Sequence, residues 1–384
     1  MTLIEQFQRV MGQRADFVAR APGRVNLIGE HIDYNGGPVL PMAIEREVRI
    51  AARRRGDRRV RLHSTGLDTR YEGALPAVRT DQPAWADYLL GVVAEFEKQG
   101  SEVPGFDALV DSNVPIGSGL SSSAALGVAT GVLLSALLDV PVEPLELALL
   151  CQRAENQFVG VQCGLMDQAS SACCREGRVL LLDCSIPSCE QVVFPSERLT
   201  VVVAHSGVRR GLSASAYNER RSQCEQALDL FNQAAGTAYP NLCAVPEEVF
   251  RRVSDDLPEV LLRRSRHILG ETARVRSFVA ALQEGREREL GSMLNESHFS
   301  LRDDYEVSCP ELDELTERCR TFDGVYGSRL TGAGFGGCTV TLIRPERAGA
   351  LMDDLKAEYY APRKMEPLVF TSRPAAGAEA FALD

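Results

Sequence analysis

Between Val114 and Ser123 the chain reads VPIGSGLSSS, and AALGVATGVLL follows directly. Glycines, then serines, then an apolar helix-forming run are the parts of an anion site. Backbone N–H groups at a helix N-terminus lack intrahelical partners, and the helix dipole favours negative charge there. Gly117 and Gly119 let the backbone approach a phosphate closely, Ser121, Ser122 and Ser123 offer hydroxyls, and the apolar run anchors the loop. The same residues also suit a Gly-Ser turn that caps a buried helix, and the segment alone does not separate the two. No GxxxxGK[ST] pattern occurs, which excludes a phosphate loop with a clasping lysine. Gly332, Gly334 and Gly337 satisfy GxGxxG, but CTVTLI follows them, a strand where a dinucleotide fingerprint must open a helix.

Phosphoryl transfer needs a magnesium ion, a place for the acceptor and positive charge near the transferring group. Two segments offer candidates. GRVNLIGEHIDYNGG gathers Arg24, Glu30, His31 and Asp33, with Ile32 among them, into a short polar stretch suited to a hydroxylated ligand. AENQFVGVQCGLMDQASS carries Glu155 near a helix end and Asp167 beyond a glycine turn. Taken singly, each acid is more often a solvated or paired surface charge; their coincidence with the serine-rich loop favours a site. His31 suits either a backbone hydrogen bond or a ligand contact. His63, His205, His267 and His298 show no mutual spacing of a metal site.

These residues need a frame. Helical spacing is expected over residues 3–11, and Phe17 to Arg20 leads into a strand, an exposed turn and a second strand. Glu47 to Ala52 and Arg58 to His63 alternate as paired strands would, and Trp85 to Lys98 has the pattern of an amphipathic helix. Gly105 to Val110 reads as a strand ending at the glycine- and serine-rich loop, with helices over Ala124 to Leu138 and Glu143 to Phe158. Arg178 to Cys184 and Leu199 to His205 have strand character. Ala214 to Ala235, Glu259 to Glu284, Glu287 to Phe299 and Glu346 to Tyr360 read as helices. The 384 residues exceed one ordinary core. The expected fold is α+β with two lobes: 1–198, with a mixed sheet and the phosphate loop, and 199–384, an α/β-sandwich-like lobe.

Charge and composition limit the partners. A net charge of −11 argues against a nucleic-acid surface, and Arg53, Arg54 and Arg55 suit solvated surface. The 11 cysteines form no CxxC pair and have no histidine at a finger-like spacing, so free thiols in a reducing cytoplasm are expected. No apolar stretch reaches a bilayer span, and the opening residues contain no secretory apolar core. The oligomeric state is not legible; a monomer is compatible with everything above.

The three motif segments, together with LTGAGFGGC at 330–338, resemble the motifs of the GHMP sugar and metabolite kinases, and most closely those of the galactokinase branch. GRVNLIGEHIDYNGGPVLP is similar to that branch's signature, and WADYLLGV, SAYNERRSQCE, RHILGE and SHFSLRDDYEVSCPELD extend the likeness over nearly the whole chain. The resemblance implies ATP and Mg2+ as cofactors and a sugar acceptor phosphorylated at its C1 hydroxyl. It implies that Asp167 is the catalytic aspartate beside that hydroxyl and that Arg24 faces it. Glu30, His31, Ile32, Asp33 and Tyr217 would lie at the sugar. Gly117, Ser118, Gly119, Leu120, Ser121, Ser122 and Ser123 would wrap the phosphates, Ser64 would touch the nucleotide, and Ser123 with Glu155 would ligate magnesium. Galactose is the implied acceptor, with N-acetylgalactosamine as the alternative of the same fold and a non-catalytic sugar sensor as the alternative of another class. Ala333 departs from the family's TGGGFGG; if its φ were positive, alanine would be strained there.

Overall fold

The structure, a computed structural model, describes residues 1–80, 84–208 and 213–383. Its largest sheet has six strands. The strand Phe17–Asn26 lies between Glu379–Ala382 and Pro41–Arg54, antiparallel to both. Phe106–Ser112 follows, then Arg59–Ser64 and Thr69–Ala74. The two stretches expected to pair, around residues 47–52 and 58–63, are therefore not partners. Phe106–Ser112 lies between them, antiparallel to the first and parallel to the second. Alternation reports a half-buried strand and carries no information about its neighbour.

The serine-rich loop opens into the helix Ser122–Leu138, which is apolar on every side. It is covered on every side too: one flank packs on Phe17–Asn26 and Pro41–Arg54, the others on the helices Ala86–Lys98, Pro144–Arg153 and Met166–Cys173. The predicted helix 143–158 is α-helical over Pro144–Arg153 and widens to a π-helical turn over Ala154–Val159, ending at Gly160 with φ 90°. Three helices, Met166–Cys173, Glu247–Val253 and Pro310–Thr321, were not expected, nor were the strands Thr69–Ala74, Ser188–Val193, Val325–Thr331, Val369–Ser372 and Glu379–Ala382.

A second, four-stranded antiparallel sheet has the order Val325–Thr331, Cys338–Ile343, Thr200–His205, Val369–Ser372. Helices including Ser213–Ala235, Glu259–Glu284 and Glu287–Asp303 accompany it. A short third sheet joins Pro38–Val39, Arg178–Asp183 and Ser188–Val193. One hydrophobic cluster runs without interruption from Ala19 and Val25 through Leu133 to Leu330 and Val340, so the two large sheets share a core. Glu379–Ala382, within the expected second division 199–384, returns to the edge of the first sheet; Asp384 lies outside the described residues.

The turn after Phe17–Asn26 also differs from expectation. Residues 27–32 are buried, where an exposed turn was expected. Arg329, itself fully buried, donates to the carbonyls of Leu27 at 2.7 Å and Asn26 at 2.5 Å, while Glu271 accepts from the Gly29 N–H at 2.9 Å. The second lobe thus closes over the turn and satisfies backbone groups that water would otherwise have to reach. All eleven cysteines are free thiols. Among the described residues, no helix is long and apolar enough to cross a membrane.

Candidate active site

Two cavities meet in the first lobe. One, of about 360 Å3, is lined by Glu30, His31, Asp33 and Glu155, with Tyr217, Gly332 and Ala333 arriving from the second lobe. The other, of about 420 Å3, is lined by Ser64, Gly117, Gly119 and Ser121 to Ser123, with Trp85 and Tyr88 beside them. Arg24 and Asp167 line both. That shared pair is the centre of the site.

Arg24 reaches it through a bulge. The register of Phe17–Asn26 against Pro41–Arg54 shifts between Pro22 and Arg24. A Cβ at Gly23 would lie 2.6 Å from the Leu120 carbonyl oxygen, so only glycine lets the strand pass this close to the loop. The Arg24 N–H then donates to that carbonyl at 3.1 Å, and its Nη1 donates to the Gly119 carbonyl at 2.6 Å. The guanidinium is almost wholly buried and grips Oδ1 of Asp167, with Nε at 2.9 Å and Nη2 at 2.6 Å. Asp167 stands in the first turn of Met166–Cys173, where the helix dipole favours a carboxylate. Ser121 Oγ donates to its other oxygen at 2.6 Å.

Glu155 projects from the π-helical turn Ala154–Val159, a distortion that often marks functional positions. Gln168 Nε2 donates to its Oε2 at 2.8 Å, and the Ser123 hydroxyl donates to the same carboxyl group. Burial, and then the nearby charge of Asp167, push the Glu155 carboxyl up to about 7. A hard-oxygen pair of one carboxylate and one hydroxyl, sited where negative charge is in excess, fits a magnesium ion that keeps waters and phosphate oxygens as its other ligands. Among the described residues no cluster of three or more acidic, histidine or cysteine side chains forms a metal cage.

In the first cavity Asp33 opens a short 3-10 turn, Asp33–Asn35. A Cβ at Gly164 would fall on its carboxylate, so that glycine is what gives Asp33 its room. Burial first, and then Asp167, push Asp33 up to about 7. Its carboxyl accepts from the Tyr34 backbone N–H and lines the cavity as an acceptor. His31 adopts φ 64°, its Nδ1 lies 2.9 Å from the Tyr34 hydroxyl, and that hydroxyl lies 2.8 Å from Tyr305. Of the two readings of His31, the ring is joined to a tyrosine network, and Tyr217 stacks obliquely over it with ring centres 5.7 Å apart. Burial raises the phenols of Tyr34, Tyr217 and Tyr305 well above their ordinary value, keeping them as O–H groups.

The remaining expected residues are placed as follows. Ile32 belongs to the hydrophobic core and does not line the cavity, because the strand-to-turn path points it inward. Leu120 is likewise a core side chain. Ser118 is buried with its hydroxyl donating to the Pro115 carbonyl at 2.7 Å, which stabilises the loop from within. Glu30 does line the first cavity, but its Oε1 already accepts from Gly332 N–H at 2.6 Å, Thr331 Oγ1 at 3.1 Å and Arg329 Nη2 at 3.2 Å, so it also joins the lobes. Ala333 is not at positive φ, and the strain considered there does not arise. Sequence reasoning missed Gln168, although it adjoins Asp167. Trp85 and Tyr88 were also missed as cavity walls, although the aromatic WADY block signalled them.

The chain matches three family models: the galactokinase galactose-binding signature over residues 5–54, the GHMP kinases N terminal domain over 87–175 and the GHMP kinases C terminal over 278–361. It is 42% identical over 378 residues to a galactokinase of Roseiflexus sp. (strain RS-1), covering 98% of this chain and 95% of that one. A crystal structure of Lactococcus lactis galactokinase complexed with galactose superposes with a TM-score of 0.92, at 33% identity and 99% coverage of both chains. Methanococcus jannaschii mevalonate kinase, 18% identical, shares the fold with a TM-score of 0.65 over 94% of this chain and 98% of its own. With its signature block at one cavity, its serine run at the other and Arg24 and Asp167 between them, this chain belongs to the galactokinase family of the GHMP kinases.

Proposed function

We propose that the chain transfers the γ-phosphoryl group of ATP to the C1 hydroxyl of α-D-galactose, giving galactose 1-phosphate and ADP. The observation that carries this reading is the meeting of the two cavities at Arg24 and Asp167. The sugar lies in the cavity of Asp33, His31, Glu30 and Tyr217; the nucleotide lies against Ser64 and the loop Gly117 to Ser123. The galactose O1 attacks the γ-phosphorus, the bond from that phosphorus to the bridging oxygen breaks, and ADP leaves with that bond's electrons. The hydroxyl proton passes to the Asp167 carboxylate. Arg24, pinned by the Gly119 carbonyl, holds that carboxylate and adds positive charge where the phosphoryl oxygens gather negative charge.

Stereochemical choice rests on buried acceptors. A ring hydroxyl that fails to meet Asp33 leaves a desolvated carboxyl without its donor, and such a loss weighs more than a missing apolar contact. When magnesium is bound, Ser123 and Glu155 hold it, and it neutralises phosphate charge. The free thiols support a reducing, cytoplasmic setting, and the net charge of −11 supports an enzyme that acts without nucleic acid.

Steady-state ADP release measured with galactose, N-acetylgalactosamine and glucose tests the reading. Galactose should give the highest kcat/KM. Preference for the acetamido sugar would reassign the acceptor, and no release above background with any of the three would sink the kinase reading.

A further inference from the structure

Ser121 stands at the N-cap of Ser122–Leu138, the position from which a serine hydroxyl ordinarily accepts a hydrogen bond from the first free N–H groups of the helix. It makes no such bond. Its backbone sits at φ 61°, ψ 43°, a left-handed conformation that a residue with a Cβ seldom adopts. An unused cap and an unfavourable backbone at one residue call for a compensating interaction, and such residues gather at functional sites. The interaction is the 2.6 Å hydrogen bond from Ser121 Oγ to Asp167 Oδ2.

The division of that carboxylate is informative. Arg24 holds Oδ1 with both Nε and Nη2, and among the described residues Ser121 alone holds Oδ2. A carboxylate oxygen offers two lone pairs, so Oδ2 retains one for the acceptor's hydroxyl proton. The residues that make these contacts are consecutive. The Gly119 carbonyl accepts from Arg24 Nη1, the Leu120 carbonyl accepts from the Arg24 N–H, and Ser121 takes the carboxylate. Three successive residues of the phosphate loop therefore fix both members of the catalytic pair.

We propose that Ser121 is a positioning residue for Asp167, and that the phosphate loop, through it, sets the direction from which the carboxylate meets the acceptor hydroxyl. The proposal rests on the phosphoryl-transfer reading and reassigns Ser121 from a phosphate contact to a support of the base. It also accounts for the residue type. Glycine would suit the left-handed backbone better, but it carries no hydroxyl.

The test uses Ser121→Ala and Ser121→Gly in the full chain, with kcat and KM measured for both substrates. Alanine keeps the backbone restriction and glycine relieves it, while both remove the hydroxyl, so the pair separates loop geometry from the hydrogen bond. Each should lower kcat by roughly 10- to 100-fold, the scale expected when a catalytic group is misplaced by a fraction of an ångström to an ångström. KM for ATP should stay within about threefold. In an Asp167→Asn background, Ser121→Ala should cost little more, because both substitutions act on one interaction. A raised KM for ATP with unchanged kcat would make Ser121 a phosphate ligand and overturn the proposal. Normal turnover of the glycine variant alone would overturn it as well, since backbone relief would then outweigh the hydroxyl. Effects that multiply fully with Asp167→Asn would do the same. A wild-type enzyme that turns over no sugar fails in a different way: it removes the kinase reading, and the positioning role falls with it. Thermal melting of each variant, with Ser121→Gly as the unstrained member, identifies a kcat loss that comes from unfolding.

Discussion

At the scale of single residues the site concentrates negative charge that its ligands must relieve. Asp33, Glu155 and Asp167 face one region, and burial and mutual repulsion push the first two up to about 7. Asp33 titrates from an ordinary 3.8, so between about pH 4 and 7 the folded chain holds a proton that the unfolded chain has released. Stability then falls as pH rises through that window, and levels off above it. Asp33→Asn should therefore gain in melting temperature over wild type as pH rises, with the largest gain above about pH 7; equal differences at pH 5 and pH 8 would contradict the assignment. A sugar hydroxyl donating to the ionised group pulls its pKa back down, so galactose binding should release protons near neutrality, as calorimetry in buffers of different ionisation heat would record. Asp167→Asn should cut turnover by about 10^2- to 10^4-fold, with nucleotide affinity nearly unchanged. Near-normal turnover would remove Asp167 from the chemistry. Arg24 and Asp167 were legible because each sits in a long motif; Gln168, Gly164 and Gly23 were not, because their roles consist of contacts with residues distant along the chain.

At the scale of elements, the covered apolar helix behind the glycine- and serine-rich loop could be read from composition, since a run without a polar face must be covered on all sides. The sugar-binding turn could not. Its burial depends on Arg329, which is about 300 residues away and reads in sequence as an ordinary strand arginine. In the structure Arg329 is fully buried, and its guanidinium accounts for the Leu27 and Asn26 carbonyls, its neighbour Leu330 and Glu30. Removing one partner of such a pair leaves a carboxylate and several carbonyls unsatisfied in a dry interior. Arg329→Met should destabilise the protein by about 3–5 kcal/mol in urea denaturation. It should also raise KM for galactose far more than KM for ATP, because the disturbed backbone carries Glu30 and His31 and not the serine loop. Equal effects on the two substrates would show that the clamp does not act on the sugar turn specifically. Strand order was illegible for a related reason: Phe106–Ser112 enters between two strands close in sequence, and nothing in their alternation marks the gap.

At the scale of the whole molecule, the division into two lobes conceals how the chain is closed. After leaving the second sheet at Ser372, the backbone crosses to the first lobe and runs along the helix that carries Asp167. Gly377 N–H donates to the Cys174 carbonyl at 2.8 Å and Ala378 N–H to the Ser171 carbonyl at 2.9 Å. It then pairs as Glu379–Ala382 with Phe17–Arg20, where Arg20 Nε meets Glu379 at 2.6 Å. A chain ending at Arg373 would retain every side chain of both cavities. It would, however, uncover the edge of Phe17–Asn26 and two carbonyls behind the Asp167 helix, and an uncovered edge is a template for association. The shared core makes the consequence global. With apolar side chains from both sheets in one cluster, the lobes should unfold together in a single transition, and the shortened chain should show that same transition at lower denaturant, with the slope reduced only in proportion to the lost surface. Two separated transitions in the intact chain would show that the lobes are energetically independent. If the shortened chain kept full stability but lost turnover, the closing strand would act on the orientation of Asp167 rather than on the fold. Loss of both, with aggregation that begins at low protein concentration, is the outcome the shared core and the exposed edge dictate.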